Sequence, residues 1–175
     1  MRTPGVPAPG VLRFCHRRTS QRPPIAGEET AMTEPTPGVP LTVKLRLVSA
    51  NSGRPRTGCT VSLWHCGGHG TAGRQAADPA GWVSFGSAFP EARAGHWPHV
   101  HFAVHSGDAG GVLHTAQLAL PGDACAQAYC AAQRRRLDGM SIGRDGCFTG
   151  GWTLEIPSVT GDAARGLVAT RTVGV

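Results

Sequence analysis

The sequence predicts an all-β fold: an antiparallel β-sandwich with one short helix, preceded by a disordered N-terminal segment. Three observations carry this. The 175 residues include 25 Gly and 14 Pro, and Gly/Pro/Asp clusters divide the apolar material into runs of strand length. Several of those runs alternate apolar and polar residues with period two, as half-buried strands do. Long helical windows are few, and Asp123–Arg135 is the one convincing case.

Residues 1–40 are rich in Pro, Arg, Thr and Gly and lack the apolar core of a signal peptide, so disorder is expected there. Met32 stands just before the ordered chain and is as good a start as Met1. Residues 41–175 then form one domain, which suits the length and a hydrophobic content of 40%. No run is long and apolar enough for a membrane span, and the expected location is cytoplasmic.

Leu41–Val48 is the first strand, with Leu41, Val43, Leu45 and Leu47 inward. Asn51–Pro55 is a turn by its residue chemistry. Cys59–Cys66 is the second strand, with Cys59, Val61, Leu63 and His65 on one face and Thr60, Ser62, Trp64 and Cys66 on the other. Gly67–Gly73 is a flexible loop without the strand-to-helix context of a nucleotide site. Asp78–Gly81 is a turn leading to Trp82–Phe85, a brief strand.

The stretch Trp97–His105, W-P-H-V-H-F-A-V-H, is the next strand. Val100, Phe102 and Val104 face one way; His99, His101, Ala103 and His105 face the other. Same-face neighbours lie roughly 6–7 Å apart at Cα, close enough for two imidazoles to converge on one metal ion. Val112–Leu120 follows as a strand. Asp123–Arg135 is a helix with Asp123 as its N-cap and arginines matching the dipole at its end. Gly143–Gly151 is loop, and Trp152–Ile156 with Leu167–Val173 forms a terminal hairpin.

The formal charge of +6 comes from 17 Lys and Arg against 11 acidic residues. Only Arg134–Arg136 is a tight run, and no basic stripe with interleaved aromatics marks a nucleic-acid surface. The six cysteines show no metal-knuckle spacing. Cys59 and Cys66 point to opposite faces, Cys125 and Cys130 flank the helix region, and free buried thiols are the default. Trp64, Trp82 and Trp152 are expected in the sandwich core, and His105 and His114 in structural or exposed positions.

Five pieces in order resemble the intradiol ring-cleavage dioxygenases. They are G-C-T-V-S-L-W-H-C at Gly58–Cys66, D-P-A-G-W-V-S-F at Asp78–Phe85, and F-P at Phe89-Pro90. G-H-W-P-H-V-H-F-A-V at Gly95–Val104 and H-T-A-Q-L-A-L-P-G-D at His114–Asp123 complete the set. The resemblance spans about Leu41 to Val175, is nearest to the short single-domain members, and implies the same sandwich. It implies O₂-dependent ring opening of catechols at a non-haem Fe(III) ion, with a small aromatic partner. It places two metal ligands at His99 and His101 and substrate-side roles at His96, where the family has Arg, and Gln117. The family's two tyrosinate positions fall on Ala72 and Arg93, so that half of the ligand set is replaced. The one Tyr, Tyr129, matches neither motif position.

A neutral imidazole pair suits Zn(II), Cu(II), Ni(II) or Fe(II) better than Fe(III), which favours anionic oxygen. His69, in the loop before Ala72, and His96 are candidate replacement ligands; for each alone a surface position is the plainer expectation. Three functions stay open: an active ring-opening dioxygenase, a non-catalytic relative binding an aromatic compound or a divalent metal, and an interaction module without metal. The pair Ala72/Arg93 separates the first from the others.

Overall fold

Apolar residues at every second position build β1 (Pro40–Val48), where Leu41, Val43, Leu45 and Leu47 are buried and Lys44 is exposed. The computed structural model describes residues 38–65, 72–107, 110–149 and 153–175. The expectations for residues 1–37 and for Cys66, His69 and Trp152 lie outside the described residues. Beyond β1 come β2 (Thr60–Trp64), β3 (Ala72–Ala76), β4 (Trp82–Ala88), β5 (His99–His105) and β6 (Val112–Ala119). Short helices α1 (Gly122–Ala128), α2 (Ala131–Arg135) and α3 (Gly146–Thr149) then lead to β7 (Thr153–Glu155), β8 (Ser158–Asp162) and β9 (Gly166–Gly174).

The strands form two sheets, in the orders β4-β1-β9-β8 and β3-β2-β5-β6-β7. Their inner faces supply one core. Val43, Leu45 and Ala169 from one sheet and Val61, Leu63, Val100, Phe102, Val104 and Leu118 from the other belong to it. The all-β sandwich is therefore as expected, as are the inward sets of β1 and β5. Two pairings are parallel, β1 with β9 and β6 with β7, so the sandwich is mixed rather than wholly antiparallel.

Other elements differ from expectation, each for a local reason. β3 begins within the stretch expected as a loop, Gly67–Gly73, and pairs with the full length of β2. Asp78 accepts Ala80 N–H and Trp82 N–H at 2.9 and 2.8 Å, and Gly81 at φ 82 turns the chain into β4. The expected terminal hairpin is re-paired. β7 stops before Pro157, joins β6, and the hairpin is β8 with β9. Asp162 closes that turn by accepting Ala164 N–H and Arg165 N–H at 3.0 and 2.9 Å.

The single helix expected over Asp123–Arg135 is two. Tyr129 adopts an extended conformation between them, and Cys130 caps α2 in a reciprocal box with Gln133. Asp123 lies in the first turn of α1, whose N-cap is Pro121. The loop expected over Gly143–Gly151 includes a 3-10 turn ending at Arg144, followed by α3. Trp64 and Trp82 are also corrected. Trp64 is buried on the outer side of its sheet, and Trp82 is half-buried under the Arg46 guanidinium, 5.9 Å from its ring centroid.

Candidate metal centre

Strand register puts the polar residues of the five-stranded sheet in rows across its outer face. Trp64 on β2, His101 on β5 and Gln117 on β6 stand directly opposite one another. Position 72 on β3 continues the row beyond Trp64, and Leu154 on β7 continues it beyond Gln117. Opposite residues of neighbouring strands share a face. The His101 ring therefore stacks on Trp64, with centroids 5.4 Å apart and planes within 8°. All of β5 is buried, including the face that carries the histidines.

His99 is oriented from behind. Its Nδ1 lies 2.6 Å from the Trp97 carbonyl oxygen, so Nδ1 carries the proton and donates it there. The Nε2 lone pair is then directed away from the backbone and accepts a hydrogen bond from His101 Nε2–H at 3.1 Å, so a metal ion shared by the two rings would take the place of that proton. Burial holds the His99 imidazole below its ordinary value, against the opposing effects of the Trp97 carbonyl and Asp145. A neutral ring whose Nε2 carries the lone pair is the form that binds metal. With metal–nitrogen bonds of about 2.1 Å, a 3.1 Å separation corresponds to a ligand angle of about 95°. The Phe148 ring closes on His99 edge to face at 5.2 Å.

A second group of donors adjoins this pair. Arg93 and His96 close a tight turn in which His96 N–H donates to the Arg93 carbonyl at 3.2 Å, with Gly95 at φ 80. That turn brings His96 Nδ1 to 3.3 Å from Cys147 Sγ and 3.6 Å from Asp145 Oδ1. Asp145 is fully buried. Its Oδ2 accepts Trp97 N–H at 2.6 Å and its Oδ1 accepts Cys147 N–H at 2.8 Å. Gln117 Nε2 donates to the Cys147 carbonyl at 3.3 Å. The main chain of Trp97 thus holds Asp145 with its N–H and His99 with its carbonyl.

The remaining candidates are elsewhere. Arg93 is exposed on its turn. Tyr129 is buried against Phe89, and its hydroxyl donates a short hydrogen bond to the Pro90 carbonyl. Burial pushes that phenol well above its ordinary value, so it stays protonated. His65 Nε2 meets Ser87 Oγ at 2.9 Å and ties the two sheets, while His105 Nε2 meets Ser62 Oγ at 3.2 Å. His114 rests near Phe102. Among the described residues Cys59, Cys125 and Cys147 are free buried thiols, while Cys130 is free but exposed, unlike the buried default. Asp145 and Cys147 were not among the sequence candidates. The available signal was R-D-G-C-F, an Asp followed two residues later by a Cys at a helix start, where an Asp carboxylate caps backbone N–H groups.

No family model matches the sequence, and no curated protein does. Solved structures do. An intradiol ring-cleavage dioxygenase from Tetranychus urticae superposes with a TM-score of 0.63 at 20% identity, over 78% of this chain and 80% of that one. The dioxygenase domain of a dioxygenase carbohydrate-binding protein fusion from Streptomyces sp. SirexAA-E gives 0.60 at 21%, over 92% of this chain and 97% of that one. A hydroxyquinol 1,2-dioxygenase from Pseudomonas putida DLL-E4 gives 0.51 at 15%, over 92% and 64%. Two sheets of matching architecture, reached at identities this low, establish that the chain has the fold of the intradiol ring-cleavage dioxygenases.

Proposed function

We propose that this chain is a relative of the intradiol dioxygenases that binds a divalent transition metal through His99 and His101 and does not open catechol rings by the ferric route. The carrying observation is the convergence of the two Nε2 atoms at 3.1 Å with His99 already fixed in the metal-binding tautomer. Support for the negative half comes from the donors. The resemblance calls for two phenolates; the matching positions hold Ala72 and Arg93, and the hydroxyl of Tyr129 is spent on Pro90. A ferric ion does not fit this set, because two neutral imidazoles supply none of the anionic oxygen it favours. A borderline divalent ion fits better.

The residues around the pair act on ligands rather than on a reaction. Trp97 aims His99 through its carbonyl, Trp64 fixes the plane of His101 by stacking, and Gln117 lies in register beside His101. Aromatic walls from Trp64 and Phe148 also suit a planar aromatic ligand next to the pair. The test is to load the purified protein with iron and supply catechol and O₂. Neither a tyrosinate-to-iron charge-transfer colour nor cis,cis-muconate formation is expected. Appearance of the product would restore the active-dioxygenase reading, which the fold alone leaves standing.

A further inference from the structure

We propose that His96 Nδ1, Asp145 Oδ1 and Cys147 Sγ form a second metal site, distinct from the His99/His101 pair, for a thiophilic divalent ion of the Zn(II) type. The three donor atoms lie within 4.8 Å of one another. Two of the edges are 3.3 and 3.6 Å. A tetrahedral ion with bonds of about 2.0 Å to nitrogen and oxygen and about 2.3 Å to sulfur spans donor separations of about 3.3–3.5 Å. The side chains therefore stand close to where an ion needs them.

Charge gives a second argument. Asp145 is wholly buried, and both its oxygens are held by neutral backbone N–H groups. A buried carboxylate is least costly when it is paired with a cation as well as hydrogen-bonded. Among the described residues the ion-pair partner of Asp145 is the His96 imidazole, cationic only when protonated. A metal ion at the centre of the three donors supplies that charge and leaves His96 neutral. It displaces the thiol proton of Cys147 to solvent and binds the sulfur as thiolate.

The surroundings have the form of a supported site. Each carboxylate oxygen is oriented by one N–H and keeps further lone-pair capacity for a metal, and Gln117 fixes the Cys147 peptide through its carbonyl. His96 is 32% exposed at its side chain, which gives an ion access from solvent and leaves a fourth position for water. Sulfur in the set selects against Mg(II) and Ca(II). The donors come from the turn before β5 and from the start of α3, so an ion here fastens two segments remote in sequence.

Cobalt(II) titration of the metal-free full-length chain reads the site directly, because a cysteine ligand gives a near-ultraviolet thiolate-to-cobalt band. The band is expected in wild type and in the His99→Ala, His101→Ala double variant. It is expected to vanish in Cys147→Ala and in His96→Ala, and to survive Cys130→Ser. Asp145 is left intact in these variants because its loss strips two backbone N–H groups of their acceptor. If Cys147→Ala fails to fold, as judged by circular dichroism, half-exposed His96 carries the test alone. Absence of the band in wild type, or its persistence in His96→Ala or in folded Cys147→Ala, overturns the site. Its loss in the double variant means that the two groups form one site and overturns their separateness.

Discussion

Trp97 carries three hydrogen bonds whose partners define the site: Asp145 at its N–H, His99 at its carbonyl and Leu120 at its indole nitrogen, the last at 2.8 Å. Trp97→Phe removes only the third. It should cost about 1 kcal/mol, because the Leu120 carbonyl loses its stronger donor and keeps only the weak Cys125 thiol at 3.9 Å, seen as a lower denaturant midpoint, and leave the two main-chain bonds in place. Tyr129→Phe tests the assignment of the lone tyrosine. With its hydroxyl given to Pro90, the substitution should destabilise by about 1–2 kcal/mol and leave bound metal unchanged. A drop in metal content in Tyr129→Phe would make the phenol a ligand after all. His105 sets a pH dependence. Burial, and then Arg74, lower its pKa from the ordinary 6.5, so the native ring takes up protons less readily than the unfolded one. Its contribution to stability is full above 6.5 and is lost as the pH falls below it. Melts from neutral pH to about pH 5 should show declining stability, with a shallower decline in His105→Asn.

At the scale of elements, what could be read from the sequence depended on whether a local pattern decided the outcome. β1 and β5 were legible because alternation at Leu41, Val43, Leu45 and Leu47, or at Val100, Phe102 and Val104, admits one face inward. The His99/His101 juxtaposition followed from the same period. β3 was not legible, since Ala72–Ala76 has no apolar alternation and is a strand only because β2 offers it an edge. The ending of the chain was misread for a similar reason. Val159 and Leu167 resemble strand residues wherever they pair, and the Asp162 turn rather than hydrophobicity chooses their register. R-D-G-C-F marks Asp145 and Cys147 as a local pair, but their approach to His96 was not legible because α3 folding back on the β5 entrance sets it, across 49 to 51 residues. The break at Tyr129 also has an energetic consequence. Cys130 serves as N-cap of α2, so Cys130→Ser should keep the cap while Cys130→Ala removes its side-chain part and lowers the midpoint of equilibrium unfolding relative to Cys130→Ser.

Across the whole molecule, the two faces of the β2–β5–β6 sheet divide the work. The inner face joins the common core, where Phe102 is fully buried, and Phe102→Ala should cost about 3–5 kcal/mol and lower the melting temperature strongly. The outer face holds Trp64, His99, His101, His105 and Gln117 in rows fixed by strand pairing, so the sheet sets the backbone positions of the imidazole pair. The fold is shared with ring-cleaving dioxygenases, and on the reading proposed above the histidine pair stands without tyrosines, since positions 72 and 93 hold Ala and Arg. The most direct test is metal analysis of the wild-type chain beside the His99→Ala, His101→Ala double variant, both saturated with Zn(II) and desalted. Wild type should retain one ion more per chain than the double variant; equal contents would contradict metal binding by the pair.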